Sequence, residues 1–216
     1  MFRLNRKLQK YGHNALQFSK FRILHWQHTG GLIIMFFAAI ALMTSVVVFP
    51  ANANVGTKAG EENAKALMLA FYFTNERPSG EMRVAIVHDR NNEHATQDAL
   101  AFANGAEQAS RVKNISLRPE LIRQDVLASV DLSRFDAVLI SRGMRAHYPE
   151  LRNLLNGYDG IVASQDKRCV QSNLCMLYIE KTHVINMAVN QKVVKDRNAR
   201  YSFRSGFVKM IEQISS

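Results

Sequence analysis

Phe135-Asp136-Ala137-Val138-Leu139-Ile140-Ser141-Arg142-Gly143 is the stretch whose reading decides the fold. Four apolar residues in a row, two of them β-branched, stop at a polar pair and a glycine. A run that short and that uniformly apolar is a strand covered on both faces, which is the signature of a parallel sheet. A helical pattern follows at Tyr148–Leu155, and Gly160-Ile161-Val162-Ala163-Ser164 repeats the buried-strand pattern. Strand, helix and strand in that order form a βαβ unit.

The same alternation extends outward in both directions. On the N-terminal side, Met82–His88 reads as a strand and residues 93–109 as a small-residue helix carrying Ala95, Ala99, Phe102, Ala103 and Ala106. Ile115–Arg118 reads as a second strand, with Pro119 opening a short helix that carries Leu121, Ile122 and Val126. Upstream, Ala64, Leu67, Met68, Phe71 and Tyr72 follow helical spacing from Glu61, and residues 54–60 read as a lead-in. On the C-terminal side, Leu174–Glu180 and His183–Val189 read as an antiparallel strand pair joined by Lys181-Thr182. Asn190–Asn198 and Phe203–Ile214 read as helices. The expected architecture is a three-layer α/β/α sandwich with a mainly parallel sheet and an antiparallel C-terminal strand addition.

Residues 1–53 are of a different kind. They hold six Lys/Arg and no Asp or Glu, then the apolar run Leu32–Phe49, Pro50 and Ala51-Asn52-Ala53. A basic n-region (1–28), an apolar stretch (32–49) and a small-x-small tripeptide make a Sec-type export signal with cleavage after Ala53. The 18-residue run also reaches the lower limit for a membrane span, so a retained inner-membrane anchor is the alternative. Both readings put the single domain 61–216 in the periplasm, because the cationic end stays inside.

The leader accounts for much of the basic charge. Of 28 Lys/Arg, six lie in it, leaving 22 against 18 Asp/Glu, so the exported part is about +4. No Lys/Arg run interleaved with aromatics follows, and a nucleic-acid partner is excluded on that ground. The two cysteines, Cys169 and Cys175, are six residues apart and flank a turn just before a strand. In an oxidising compartment that spacing points to a local disulfide, with a regulatory redox pair as the alternative.

Strand ends are where open α/β sheets place ligands. His88 ends one strand, and Ser141 with Arg142 ends another, so these three are the candidate ligand-binding residues. Arg142 and Arg145 are placed to receive an anion. His88-Asp89 with His94 lacks a third metal ligand and reads as a solvated loop, while His147 and His183 read as lone structural histidines. No nucleophile is spaced to a base, no phosphate-binding glycine motif occurs, and no catalytic residue, metal or cofactor is assigned.

Several of these stretches resemble the YfiR/HmsC-like periplasmic proteins. Phe135–Ser141 is similar to that family's central strand, Gly160–Gln165 to its next strand and turn, and Cys169–Ile179 to the stretch some members use for a local disulfide. His183–Asn190 resembles its strand-then-Asn signature, and Phe203–Ile214 its closing helix. Members tend to carry Trp-Pro after the first helix, where this chain reads Asn75-Glu76-Arg77-Pro78, and some have a second cysteine pair that it lacks. The resemblance implies a non-enzymatic repressor that binds an inner-membrane partner, a diguanylate cyclase, and so lowers cyclic di-GMP and biofilm formation. A homodimer is compatible with it. The rival function is a small periplasmic solute-binding protein with its ligand at the strand ends. A hydrolase or oxidoreductase comes third.

Overall fold

A strand flanked by strands on both sides has no free edge, and Gly80–His88 (β1) is such a strand. In the computed structural model, which describes residues 53–181 and 184–213, its last five residues are all buried. It pairs in parallel with Ile115–Arg123 (β2) and with Ala137–Ile140 (β3). The sheet continues in parallel through Ile161–Ser164 (β4) to Leu177–Lys181 (β5). It then turns antiparallel to Ile185–Val189 (β6) and ends with the two-residue Glu212–Gln213 (β7). The order β2-β1-β3-β4-β5-β6-β7 is that of a doubly wound α/β sheet with an antiparallel addition, as the sequence indicates.

Side-chain alternation divides the core into two. Val84 and Ile86 of β1, with Ala137 and Leu139 of β3, face the helices Ala53–Tyr72 (α1) and Glu93–Gln108 (α2). Ala85, Val87, Val138 and Ile140 face the other way. There they meet Leu127 of the 3-10 turn Gln124–Ser129, and the short helices Tyr148–Leu154 (α3) and Lys167–Gln171 (α4). The helices Gln191–Asp196 (α5) and Ser205–Met210 (α6) return to the first face through Val193, Phe207 and Val208.

The α1–α2 contact depends on two glycines. A Cβ at Gly60 would lie 1.9 Å from the Ala101 carbonyl oxygen, and one at Gly105 would lie 2.1 Å from the Glu61 nitrogen. The two helix backbones therefore touch, and Ala64, Leu67, Ala99 and Phe102 are buried together in the core beneath. On the opposite face, a disulfide joins Cys169 on α4 to Cys175, with the Cα atoms 5.2 Å apart and both side chains fully buried. Closing a seven-residue loop contributes about 2 kcal/mol by constraining the unfolded chain. Such bonds persist in oxidising compartments.

Four local readings are corrected. Residues 54–60 belong to α1 rather than to a lead-in, because Gly60 is the point of its closest packing. Pro119 does not open a helix: β2 runs straight through it, opposite Val84. β2 is an edge strand, so the absent N–H of proline breaks no ladder. Cys169 lies on a short helix capped by Asp166, where the sequence reading places a turn. The closing helix stops at Met210, and the chain then adds β7 beside β6. Among the described residues no helix is long and apolar enough to cross a membrane. The run Leu32–Phe49, the leader around it, His183 and Ile214 lie outside the described residues.

Candidate functional site

In a doubly wound sheet the chain leaves β1 toward one face and β3 toward the other, which opens a crevice between their C-terminal ends. Here protein side chains cross it. Asn92 caps α2 by accepting from the Ala95 N–H, and its Nδ2 donates to the Gly143 carbonyl at 3.1 Å. Gly143 holds φ +83°, and a Cβ there would lie 2.9 Å from that Nδ2, so glycine is needed on both counts. Below them, His147 Nε2 lies 3.1 Å from Asp89 Oδ2. That bond and the Asn91 N–H, the larger cause, hold the Asp89 carboxyl below its usual range. His147 is thus a partner of Asp89, not a lone residue.

The open cleft is displaced one strand along. It has a volume of about 390 Å³ and lies between α1 and α2 over the ends of β3, β4 and β5. Arg142 lines it. The Arg142 backbone N–H donates to Asp98 Oδ2 at 2.9 Å, its Nη2 donates to Glu180 Oε1 at 2.9 Å, and its Nε lies 3.7 Å from Asp98 Oδ1. Nη2 also reaches Gln165 Oε1 at 3.4 Å. Asn63, buried on α1, donates to the same Gln165 oxygen at 2.7 Å and accepts the Lys181 N–H at 2.6 Å. Burial pushes the Asp98 carboxyl up, against the opposing pull of Arg142. Ala59 and Ala101 give the cleft an apolar wall, while the Phe102 ring lies fully buried behind it.

Of the three residues singled out from sequence, only Arg142 lines this cleft. His88 is buried under α2, with Nδ1 3.3 Å from Thr96 Oγ1, and burial pulls its imidazole below the ordinary value. Ser141 is fully buried, its N–H donates to the Val87 carbonyl, and its Oγ has no partner among the described residues. Arg145 is exposed in the 3-10 turn Arg145–His147, away from Arg142's partners. His94 lines the cleft. Among the described residues no group of His, Cys, Asp or Glu is placed to hold a metal.

Asp98, Asn63, Gln165 and Glu180 went unread in the sequence, although two signals point to them. Gln165 directly follows a strand, the position already used to select Arg142. Asp98 and Asn63 are polar residues interrupting apolar helix stripes, and a buried polar group needs a partner.

No family model and no curated relative matches the sequence. Solved structures do match in fold. One is described as the ABC domain in complex with L-Trp from Streptococcus pneumoniae, at TM-score 0.53 and 8% identity over 71% of this chain and 60% of that one. Another is a conserved domain protein from Vibrio cholerae, at TM-score 0.52 and 6% identity over 72% of this chain and 60% of that one. The present chain thus spans about 60% of the length of each. At such identities the likeness is one of fold.

Proposed function

We propose that the domain is an exported solute-binding module taking a small zwitterionic organic molecule, an amino acid in the simplest case. The supporting observation is the cleft at the strand ends, where Arg142 faces Asp98 and Glu180 beside an apolar wall. A ligand carboxylate would pair with the Arg142 guanidinium, its ammonium with Glu180, and its side chain would cover Ala59 and Ala101. The fold neighbour bound to L-Trp adds support from outside the chain. The full chain is to be screened by thermal unfolding against the free amino acids and short peptides. A ligand at a hundred times its Kd stabilises by about 2.7 kcal/mol. The effect should vanish in Arg142→Ala, and an absence of stabilisation by any zwitterion at millimolar concentration would refute the assignment.

A second reading is favoured by one observation, the disulfide formed within Cys169–Ile179. It is the docking repressor implied by the YfiR-like resemblance, with an inner-membrane diguanylate cyclase as partner. Recovery of such a cyclase with the full chain from solubilised membranes would support it. Unchanged cyclic di-GMP after gene deletion, under conditions where the protein is made, would count against it.

A further inference from the structure

A side-chain amide carries an acceptor at one end and donors at the other, and its neighbours decide which end faces which way. In the Arg142 cleft the main chain makes that choice. The Lys181 N–H donates to Asn63 Oδ1 at 2.6 Å, which fixes the Asn63 amide and turns its Nδ2 toward Gln165 Oε1 at 2.7 Å. Arg142 Nη2 donates to the same oxygen at 3.4 Å. Both groups that meet the Gln165 amide here are donors, so its oxygen must face them and its Nε2 must face elsewhere.

Gln165 is 6% exposed and lines the cleft, yet its Nε2 meets no acceptor among the described residues. Its backbone is pinned on both sides. It directly follows β4, where Ser164 Oγ donates to the Ile140 carbonyl at 2.8 Å and accepts the Asp166 N–H at 3.0 Å, and Asp166 caps α4. The Arg142 side chain beside it is 34% exposed, and its Nη1 makes no hydrogen bond among the described residues. A mostly buried donor left unpaired is unfavourable, and a ligand oxygen relieves it. Two donor groups in contact, one charged and one neutral, match the two oxygens of a carboxylate. A carboxamide matches them poorly, because it offers one oxygen and turns an N–H toward the second donor.

We infer that Gln165 is the specificity-determining residue of the cleft: its Nε2 takes one oxygen of the ligand carboxylate, Arg142 takes the other, and Asn63 positions the amide for that contact. This rests on the zwitterion reading above and narrows it to ligands with a free carboxylate. Thermal unfolding of the full chain is to be followed with each free amino acid and, separately, with its carboxamide. In the wild type the acid should bind about tenfold or more tightly than its carboxamide. Gln165→Glu keeps an oxygen for Asn63 and Arg142 but replaces the Nε2 donor by an acceptor, so the preference should reverse toward the carboxamide. Gln165→Met removes the donor without adding charge and should bring the two ligands to parity, which also keeps the test valid should the glutamate variant misfold. An unchanged acid preference in either folded variant overturns the role of Gln165 while leaving the zwitterion reading in place. No stabilisation of the wild type by any amino acid overturns both.

Discussion

Replacing Gly105 by Ala should destabilise the domain even though alanine is the better helix former. In an exposed helix the exchange gains about 1 kcal/mol. Here the new Cβ would lie 2.1 Å from both the Glu61 nitrogen and the Gly60 carbonyl carbon. An ordinary contact needs about 3.4 Å, so α1 and α2 must part locally by about 1.3 Å. Both obstacles are main chain within a helix, and no rotamer change relieves them. Overpacking of this kind costs about 1–3 kcal/mol or somewhat more, and here the shift also loosens Ala64, Leu67, Ala99 and Phe102 beneath the contact. Taking the upper end, the net loss is about 2 kcal/mol, or about 4–8 °C in Tm for a domain of this size. Gly60→Ala strikes the same contact, so the double variant should lose less than the sum of the two. Gly206→Ala on α6 is the control, since a Cβ there meets nothing within 4 Å. Circular dichroism melts of the four variants decide the matter. A Gly105→Ala protein melting at or above the wild type would refute the helix-contact argument.

Cys169→Ser should lower stability by about 2–3 kcal/mol, measured by urea unfolding, and equal thiol counts in the unfolded wild type before and after reduction would show that the bond is absent. Burial raises the Asp98 carboxyl above its unfolded value, so the folded state binds this proton more readily. The contribution of Asp98 to stability should therefore grow as pH falls through its raised value toward the unfolded one. Melts from pH 7 to pH 4 should show wild type gaining on Asp98→Asn, and parallel curves would show that Asp98 does not titrate in this way.

The buried strands were legible because burial on both faces leaves a compositional mark: four apolar residues without alternation, bounded by polar groups. The antiparallel C-terminal pair was legible from two short strand-like runs, although Lys181, read as part of the join, is the last residue of β5 and pairs with Ile185. The errors arose where tertiary context overrides local preference. Pro119 signals a helix start until β2 is known to be an edge strand, and edge position is not encoded locally. Residues 54–60, with two glycines and a lysine, lack an apolar stripe, yet Gly60 earns its helical place by what α2 brings against it. The site was half legible for a similar reason. Arg142 is marked by its place after a strand, whereas Asp98 and Glu180 become its partners only when α2 and β5 are set on either side of it.

The location of the cleft follows from how the crevice between β1 and β3 is filled. Asn92 donating to Gly143, and Asp89 paired with His147, join the two sides where a doubly wound sheet would otherwise admit a ligand. The opening must then be sought farther along the strand ends, and α1 decides where. This helix precedes β1 in sequence but packs beside α2, so its first half stands over the ends of β4 and β5 and brings Asn63 to Gln165 and Lys181. The close approach at Gly60 and Gly105 sets how far apart the cleft walls stand, since Gly60, Asn63, Ala101 and Phe102 all line it. Helix packing and ligand capacity are therefore one geometric quantity in this domain. A Gly105→Ala variant that still folds should bind a zwitterion with altered affinity while Arg142, Asp98 and Glu180 remain unchanged. Unaltered affinity in a destabilised variant would separate the cleft from the helix contact and place the ligand elsewhere along the strand ends.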